Sequence, residues 1–291
     1  MNNVKGVLLA GGLGTRLAPI TTVTNKHFLP IFDKPMIYYS LSLLMLSGTK
    51  DITIVCNEND VVSYKKLLGD GGGLGIQIKY SIQDKPEGIP HAIYTAIGNQ
   101  NFDKLLVVLG DNFIYGRDFF MDLKLILEKE SNVAIFSQHV KNPENFGVIV
   151  SDANNNIIDI VEKPKKFISN DAVIGIYIFD KNFSNHFLSL KKSTRNEYEI
   201  VDLIKKYDYD KIIHQKIGRG TAWFDMGSFE SFYNCSSFVK TIQDRLGLLI
   251  CSPHEIAFNN GWITKTILKN YIKKNKSSDY SNNLKTFLNE K

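Results

Sequence analysis

A chain of 291 residues, 43% hydrophobic and 22% charged, can bury a sizeable core as one α/β domain or as one domain with a smaller appendage. Its 18 Phe and 13 Tyr exclude a disordered polymer, and a formal charge of +5, fed by the lysine-rich stretch from Lys265 to Lys276, is too mild for a nucleic-acid surface. Cys56, Cys235 and Cys251 form no CxxC pair and read as reduced packing residues, the apolar start is broken by glycines and Arg16, and no run is long enough to cross a bilayer, so a cytoplasmic location is expected.

Short apolar runs at Val4–Leu9, Asp51–Val55, Ile76–Tyr80 and Leu105–Leu109 read as strands. Helical patterns at Pro35–Leu46, Asp60–Leu68 and Pro90–Ala96 lie between them. Near-continuous apolar strands alternating with helices imply a parallel sheet covered on both faces, with ligands at the strands' carboxyl ends. Val133–His139, Gly147–Ser151, Ile157–Val161 and Val173–Phe179 follow with few helices between, which suggests a mixed or antiparallel portion. From about Ser228 the pattern turns helical again, over Phe232–Gln243, Pro253–Asn260 and Ile263–Lys273, and the tail beyond Lys276 reads as a loosely held helix. The expected fold is a Rossmann-like, mostly parallel mixed sheet flanked by helices. Residues 1–228 form its body and 229–291 a small helical C-terminal extension.

The sharpest local feature is Leu9-Ala10-Gly11-Gly12-Leu13-Gly14-Thr15-Arg16-Leu17, a strand end running into a glycine-rich loop from which a helix is expected to start. Glycine lets main-chain N–H groups approach a phosphate without a Cβ clash, and a nest of such groups attracts anions. Arg16 adds a fork that can grip phosphate oxygens in two places. No lysine follows Gly14 as a P-loop requires. The dinucleotide fingerprint fails at Leu17, where a glycine belongs, and at Cys56-Asn57, where an acid would end the second strand. Lys26, before Phe28-Leu29-Pro30, is either a second phosphate cation or a solvated surface lysine; Lys34 reads as a surface lysine.

These segments, Gly11-Gly12-Leu13-Gly14-Thr15-Arg16-Leu17, Lys26 with Leu29-Pro30, and Lys34-Pro35-Met36-Ile37, resemble the signature of the sugar-nucleotide pyrophosphorylases. The long-form glucose-1-phosphate thymidylyltransferases are the branch most similar. The likeness extends through Leu109-Gly110-Asp111-Asn112, Phe146-Gly147-Val148, Glu162-Lys163-Pro164, Gly175-Ile176-Tyr177, Glu197-Tyr198-Glu199-Ile200 and Trp223-Phe224-Asp225-Met226-Gly227 to Cys251-Ser252-Pro253. It implies a nucleotidyltransferase fold of the glycosyltransferase-A-like kind. Nucleotide contacts are implied from Leu9, Gly11, Gly12, Gly14, Thr15, Arg16, Gln83, Pro86, Gly88 and Asp111. Sugar-phosphate contacts are implied from Asn112, Phe146, Gly147, Glu162, Lys163 and Val173. A homotetramer, a regulatory nucleotide site near the C-terminal helices and a role in surface polysaccharide synthesis are implied as well.

Asp111 closes an apolar strand, where its carboxylate projects into the ligand crevice, and Asp225 sits among bulky apolar neighbours, a costly place for an unpaired charge. Together they are expected to share one Mg²⁺, a hard ion content with one or two protein carboxylates plus phosphate oxygens, and this matches the family's metal pair. The reaction that the resemblance implies is an in-line displacement. A phosphate oxygen of glucose 1-phosphate attacks the α-phosphorus of dTTP, pyrophosphate leaves, and Arg16, Lys26, Asp111 and Lys163 are the catalytic residues. Departures at His91, Ile174 and Phe146 from the glutamine, threonine and tyrosine usual in relatives leave open a different sugar 1-phosphate, or UTP or CTP. A silent nucleotide-sugar binder is a further alternative. Among the six histidines no metal-ligand spacing occurs, so zinc is not expected.

Overall fold

The apolar runs Val4–Leu9, Asp51–Cys56, Gln77–Ile82 and Lys104–Leu109 pair as parallel strands, with Val4–Leu9 between Asp51–Cys56 and Lys104–Leu109. Their side chains alternate between two hydrophobic layers: Val7, Val55 and Val107 face one, Leu8, Ile54 and Val108 the other. Gln77–Ile82 lies at the sheet edge, and its alternating exposure fits that place. The computed structural model of the chain describes residues 3–83, 85–129 and 133–290.

The long strand Asp171–Asp180 joins this parallel half to the rest of a nine-stranded mixed sheet. It runs antiparallel to Lys104–Leu109 on one side and to Val133–His139 and Gly147–Ser151 on the other. Ile157–Glu162 extends the sheet beyond Gly147–Ser151, and Ile212–Lys216 pairs in parallel with Val133–His139. The expected strands are therefore present within two residues of their ends. Unforeseen were the strand Ile212–Lys216, the helices Arg117–Glu128, Phe183–Leu188 and Ile200–Ile204, and a small separate ladder of Asn112–Tyr115 with Ala222–Asp225.

Helix Met36–Leu46 is buried on every side from Met36 through Met45. One face meets the sheet, and the other is covered by helix Pro253–Asn259. Phe229–Leu246, Pro253–Asn259, Lys265–Lys274 and Asp279–Asn289 each start at a Ser or Thr whose side chain accepts a main-chain N–H: Ser228, Ser252, Thr264 and Ser278. The last helix is not loosely held. Tyr280, Leu284, Phe287 and Leu288 fall on one stripe and enter the same core as the sheet residues.

Two further expectations need correction. No α-helix follows the glycine loop; residues Thr15–Leu17 make a single 3-10 turn. Lys34 is not a surface lysine but is 3% exposed. Its ammonium reaches Asp33 at 2.6 Å and Gln243 at 3.1 Å and lies 4.8 Å over the Tyr39 ring, so its charge is satisfied at the seam with the C-terminal helices. All three cysteines are free, and among the described residues no helix is long and apolar enough to cross a membrane.

Candidate active site

Leu9 and Leu109 stand side by side at the carboxyl ends of adjacent parallel strands. Here the winding of the sheet reverses, because the strand after Val4–Leu9 lies on one side and Lys104–Leu109 on the other. Such a reversal leaves a crevice outside the strand ends. Two adjoining cavities occupy it and share Leu109, Asp111 and Ile89.

The first cavity is lined by Leu9, Gly11, Gly12, Lys26, Gln83, Pro86 and Gly88, all but Lys26 expected as nucleotide contacts. A Cβ on Gly11 would stand 3.1 Å from Gln83 Oε1, so the glycine lets that amide lie against the loop. Gly14 and Thr15 line neither cavity. Gly14 turns the chain with φ of 63°, and a Cβ there would press on Lys26 and Thr21, so its part is to let the lysine stem pass beneath the loop. Asn25 fixes the Lys26 turn: its amide donates to Ala10 O at 3.2 Å and Asp60 at 2.7 Å while its oxygen accepts from His27 N.

Asn112, Phe146, Gly147, Glu162, Lys163 and Val173 line the second cavity, together with Arg16 and Asp225. Arg16 thus faces the sugar-phosphate side of the crevice and not the first cavity. Of the three departures, only Phe146 reaches the site, packing edge-on to Trp223 with ring centroids 5.4 Å apart. Ile174 is fully buried in the core while its neighbours Val173 and Gly175 line the cavity. His91 lines neither cavity and stacks beside Tyr198.

Where the cavities meet, charge is concentrated. Lys26 pairs with Asp111 Oδ2, and Asn112 Nδ2 donates to Asp111 Oδ1 at 3.2 Å. The amide of Asn112 cannot turn over, because its oxygen accepts from Trp223 Nε1 at 2.6 Å and from Gly175 N at 3.3 Å. Burial works to raise the Asp111 carboxyl, but the Lys26 ammonium and its hydrogen bond prevail and hold it below the ordinary value. The Asn112–Tyr115 and Ala222–Asp225 ladder sets Asp225 opposite Asn112, and Met226 N donates to Asp111 O at 2.9 Å. Burial and the nearby charge of Asp111 push Asp225 up to about 6, against the pull of Arg16 and Lys26. A Cβ on Gly227 would lie 2.4 Å from Arg16 Nη2 and 2.8 Å from Asp225 Oδ1, so guanidinium and carboxylate flank one point.

On the sugar side, burial raises Glu162 above the ordinary carboxyl range, helped by Glu199 and opposed by Lys163 and Arg195. Arg195 bridges Glu162 at 3.3 Å and Glu199 at 2.5 Å. Lys163 itself holds φ of 44°, a conformation costing about 1–3 kcal/mol outside glycine, and its N–H donates to Phe146 O at 3.0 Å. Sequence reasoning passed over Arg195, Trp223, Tyr177 and Glu197. The motifs around residues 175–177, 197–200 and 223–227 marked the neighbourhoods of Tyr177, Glu197 and Trp223 without giving those side chains a role, and nothing marked Arg195.

Comparison with known proteins identifies the family of the chain. The nucleotidyl transferase family model matches residues 5–242. A Neisseria gonorrhoeae protein named glucose-1-phosphate thymidylyltransferase is 43% identical over 266 residues, covering 90% of this chain and 91% of its own length. A Mycobacterium tuberculosis (strain ATCC 25618 / H37Rv) protein of the same name is 39% identical over 282 residues, covering 97% and 98%. A Bacillus anthracis crystal structure described by that activity superposes with a TM-score of 0.72 at 35% identity, over 81% of this chain and 94% of that one. A UDP-glucose pyrophosphorylase complexed with UDP-glucose also gives 0.72, at 26% identity over 82% and 99%. With likeness of this degree over most of its length, the chain belongs to the nucleotidyl transferase family of enzymes.

Proposed function

We propose that the enzyme condenses glucose 1-phosphate with dTTP to give dTDP-glucose and pyrophosphate. The observation that carries this reading is the convergence of Arg16, Lys26, Asp111 and Asp225 where the two cavities meet, one lined by the glycine loop and the other by Glu162 and Lys163. The activity named for the relatives supports the choice of substrates.

The nucleotide occupies the first cavity, its base against Gln83, Pro86 and Gly88 and its phosphates along Gly11 and Gly12. Glucose 1-phosphate occupies the second, with Glu162 accepting from sugar hydroxyls and Lys163 holding the phosphate. The attacking oxygen is already anionic near neutral pH, so no general base is needed. Catalysis reduces to alignment and charge neutralisation: Lys163 aims the nucleophile, Lys26 holds the leaving pyrophosphate, and Arg16, beside Asp225 on the sugar-phosphate side, neutralises charge between the two reacting phosphates.

Asp111 and Asp225 fit a divalent ion. Burial and the Asp111 charge make Asp225 reluctant to ionise, the mark of negative charge crowded without enough compensation. Among the described residues no cluster of three or more His, Cys, Asp or Glu forms. An ion here would rest on two carboxylates and substrate oxygens, which suits Mg²⁺ and not zinc. Bound there, it would screen and orient the α-phosphate.

The division into a body of residues 1–228 and an extension of 229–291 belongs to the same reading, as do a cytoplasmic location and a homotetramer. Pyrophosphate release with dTTP, UTP and CTP against a set of sugar 1-phosphates tests the function. Fastest turnover with dTTP and glucose 1-phosphate is expected. Preference for another pair replaces the substrates, and no release with any pair removes the enzyme. Light scattering after size exclusion tests the tetramer.

A further inference from the structure

Both oxygens of Asp111 are engaged in the substrate-free protein: Oδ2 by the Lys26 ammonium and Oδ1 by Asn112 Nδ2. The pair is sheltered, with 11% of the lysine side chain and 15% of the aspartate side chain exposed. Lys26 has little freedom. Its stem runs under the glycine loop, where a Cβ on Gly14 would come within 3.2 Å of Lys26 Cβ and one on Gly12 within 3.9 Å of Cε. A dication arriving at Asp111 would therefore meet an ammonium already seated on the carboxylate and unable to withdraw far into solvent. Arg16 lies near Asp225, the two flanking one point beside Gly227. In the free protein Lys26 thus sits on one proposed metal carboxylate and Arg16 lies near the other.

We infer that Lys26 is the resident counter-ion of Asp111, and that a divalent metal binds this carboxylate more tightly once a triphosphate has drawn the ammonium toward the glycine loop. The inference rests on the nucleotidyltransferase reading of the site. Gly11 and Gly12 open the adjoining cavity, and a phosphate there offers Lys26 a new anion a short swing from the old one. Nucleotide and metal then favour each other's binding, while metal alone competes with a tethered cation. By linkage the coupling is the same whichever ligand binds first, and couplings of about 5–150-fold are typical.

Mn²⁺ titration of the full-length, metal-free protein, followed by the electron paramagnetic resonance signal of free Mn²⁺ with neither nucleotide nor sugar phosphate present, tests this directly. Lys26→Met is expected to bind Mn²⁺ about tenfold or more tightly than the parent. Lys26→Arg is expected to bind like the parent, and adding Asp111→Asn to Lys26→Met is expected to erase the gain. Lys163→Met removes an equal charge from the same crevice without freeing Asp111 and is expected to change the affinity less than twofold. Circular dichroism melts check folding, and Lys26→Gln takes the place of Lys26→Met if that variant melts early. The inference is overturned if the Lys26 variant binds no more tightly than the parent, if Lys163→Met gives the same gain, or if the gain survives Asp111→Asn. Because the titration contains no substrate, its failure is separate from failure of the pyrophosphate-release assay, which tests the catalytic reading alone.

Discussion

Replacing His254 with glutamine should flatten the acid sensitivity of folding by an amount the structure sets. His254 is 5% exposed, its Nδ1 lies 3.1 Å from the Tyr280 hydroxyl, and its ring lies 3.7 Å from that of Tyr271. Burial pushes its pKa from an ordinary 6.5 down to about 3. Below pH 6.5 the unfolded chain therefore carries a proton that the folded one refuses. The stability this residue allows is intact above 6.5 and falls as pH drops toward 3. At pH 5 the two proton counts have differed over roughly 1.5 pH units, a loss of about 2 kcal/mol against a usual total of about 5–15. His27, also pushed to about 3 by burial, acts in the same direction, while Asp225, raised to about 6, acts in the opposite one. Both are common to parent and variant, so the comparison removes them. Urea unfolding at pH 7 and pH 5 measures it. His254→Gln should be the less stable protein at pH 7, through lost packing, and the gap should close by about 2 kcal/mol at pH 5. A gap of equal size at both pH values would refute the reasoning.

Other substitutions probe the site. Arg16→Ala should lower pyrophosphate-releasing turnover by about a hundredfold or more, the usual cost of losing one preorganised donor; near-normal turnover would remove Arg16 from the mechanism. Gly88→Ala meets both a φ of 103° and a Cβ 2.2 Å from Tyr198 O, so a loss of about 2 kcal/mol or more in urea unfolding is expected. Gly227→Ala has no positive φ to strain, but its Cβ would fall 2.4 Å from Arg16 Nη2. Turnover should fall roughly tenfold or more while the melting temperature holds, and unchanged turnover would show that the arginine yields freely or is not needed where it stands.

The fold was legible wherever periodicity and local chemistry agreed. Val4–Leu9 and Lys104–Leu109 are apolar on both faces because helices cover both, and the helical pattern from about Ser228 onward is met by Phe229–Leu246, Pro253–Asn259 and Lys265–Lys274. The ladder of Asn112–Tyr115 with Ala222–Asp225 was not legible. Each strand has four residues, and what makes them a pair is a contact between segments far apart in sequence. That contact brings Asp225 to Asp111: the sequence could name both carboxylates by their settings, and the resemblance paired them on one ion, but the ladder that joins them was not visible. Lys34 was misread for a related reason. A lysine beside an aspartate looks solvated until Gln243, from a helix some two hundred residues later, closes over it.

Lys34 and Lys26 show the same physics put to two uses. Both ammonium groups are withdrawn from water and both sit on an aspartate. At Lys34 the compensation is closed: Asp33 and Gln243 also bond each other, the Tyr39 ring lies over the charge, and nothing else is needed to satisfy the group. Such a closed network adds little net stability, yet leaving Asp33 alone would cost about 3–5 kcal/mol, so it fixes how the C-terminal helices seat on the body. At Lys26 the compensation is open. Asp111 borders two cavities, and its neighbour Asp225 stays reluctant to ionise although Arg16 and Lys26 are near. A sheltered cluster whose charges are only provisionally matched is one that anionic substrates and a dication can rearrange. A cluster matched within the protein itself has no reason to move.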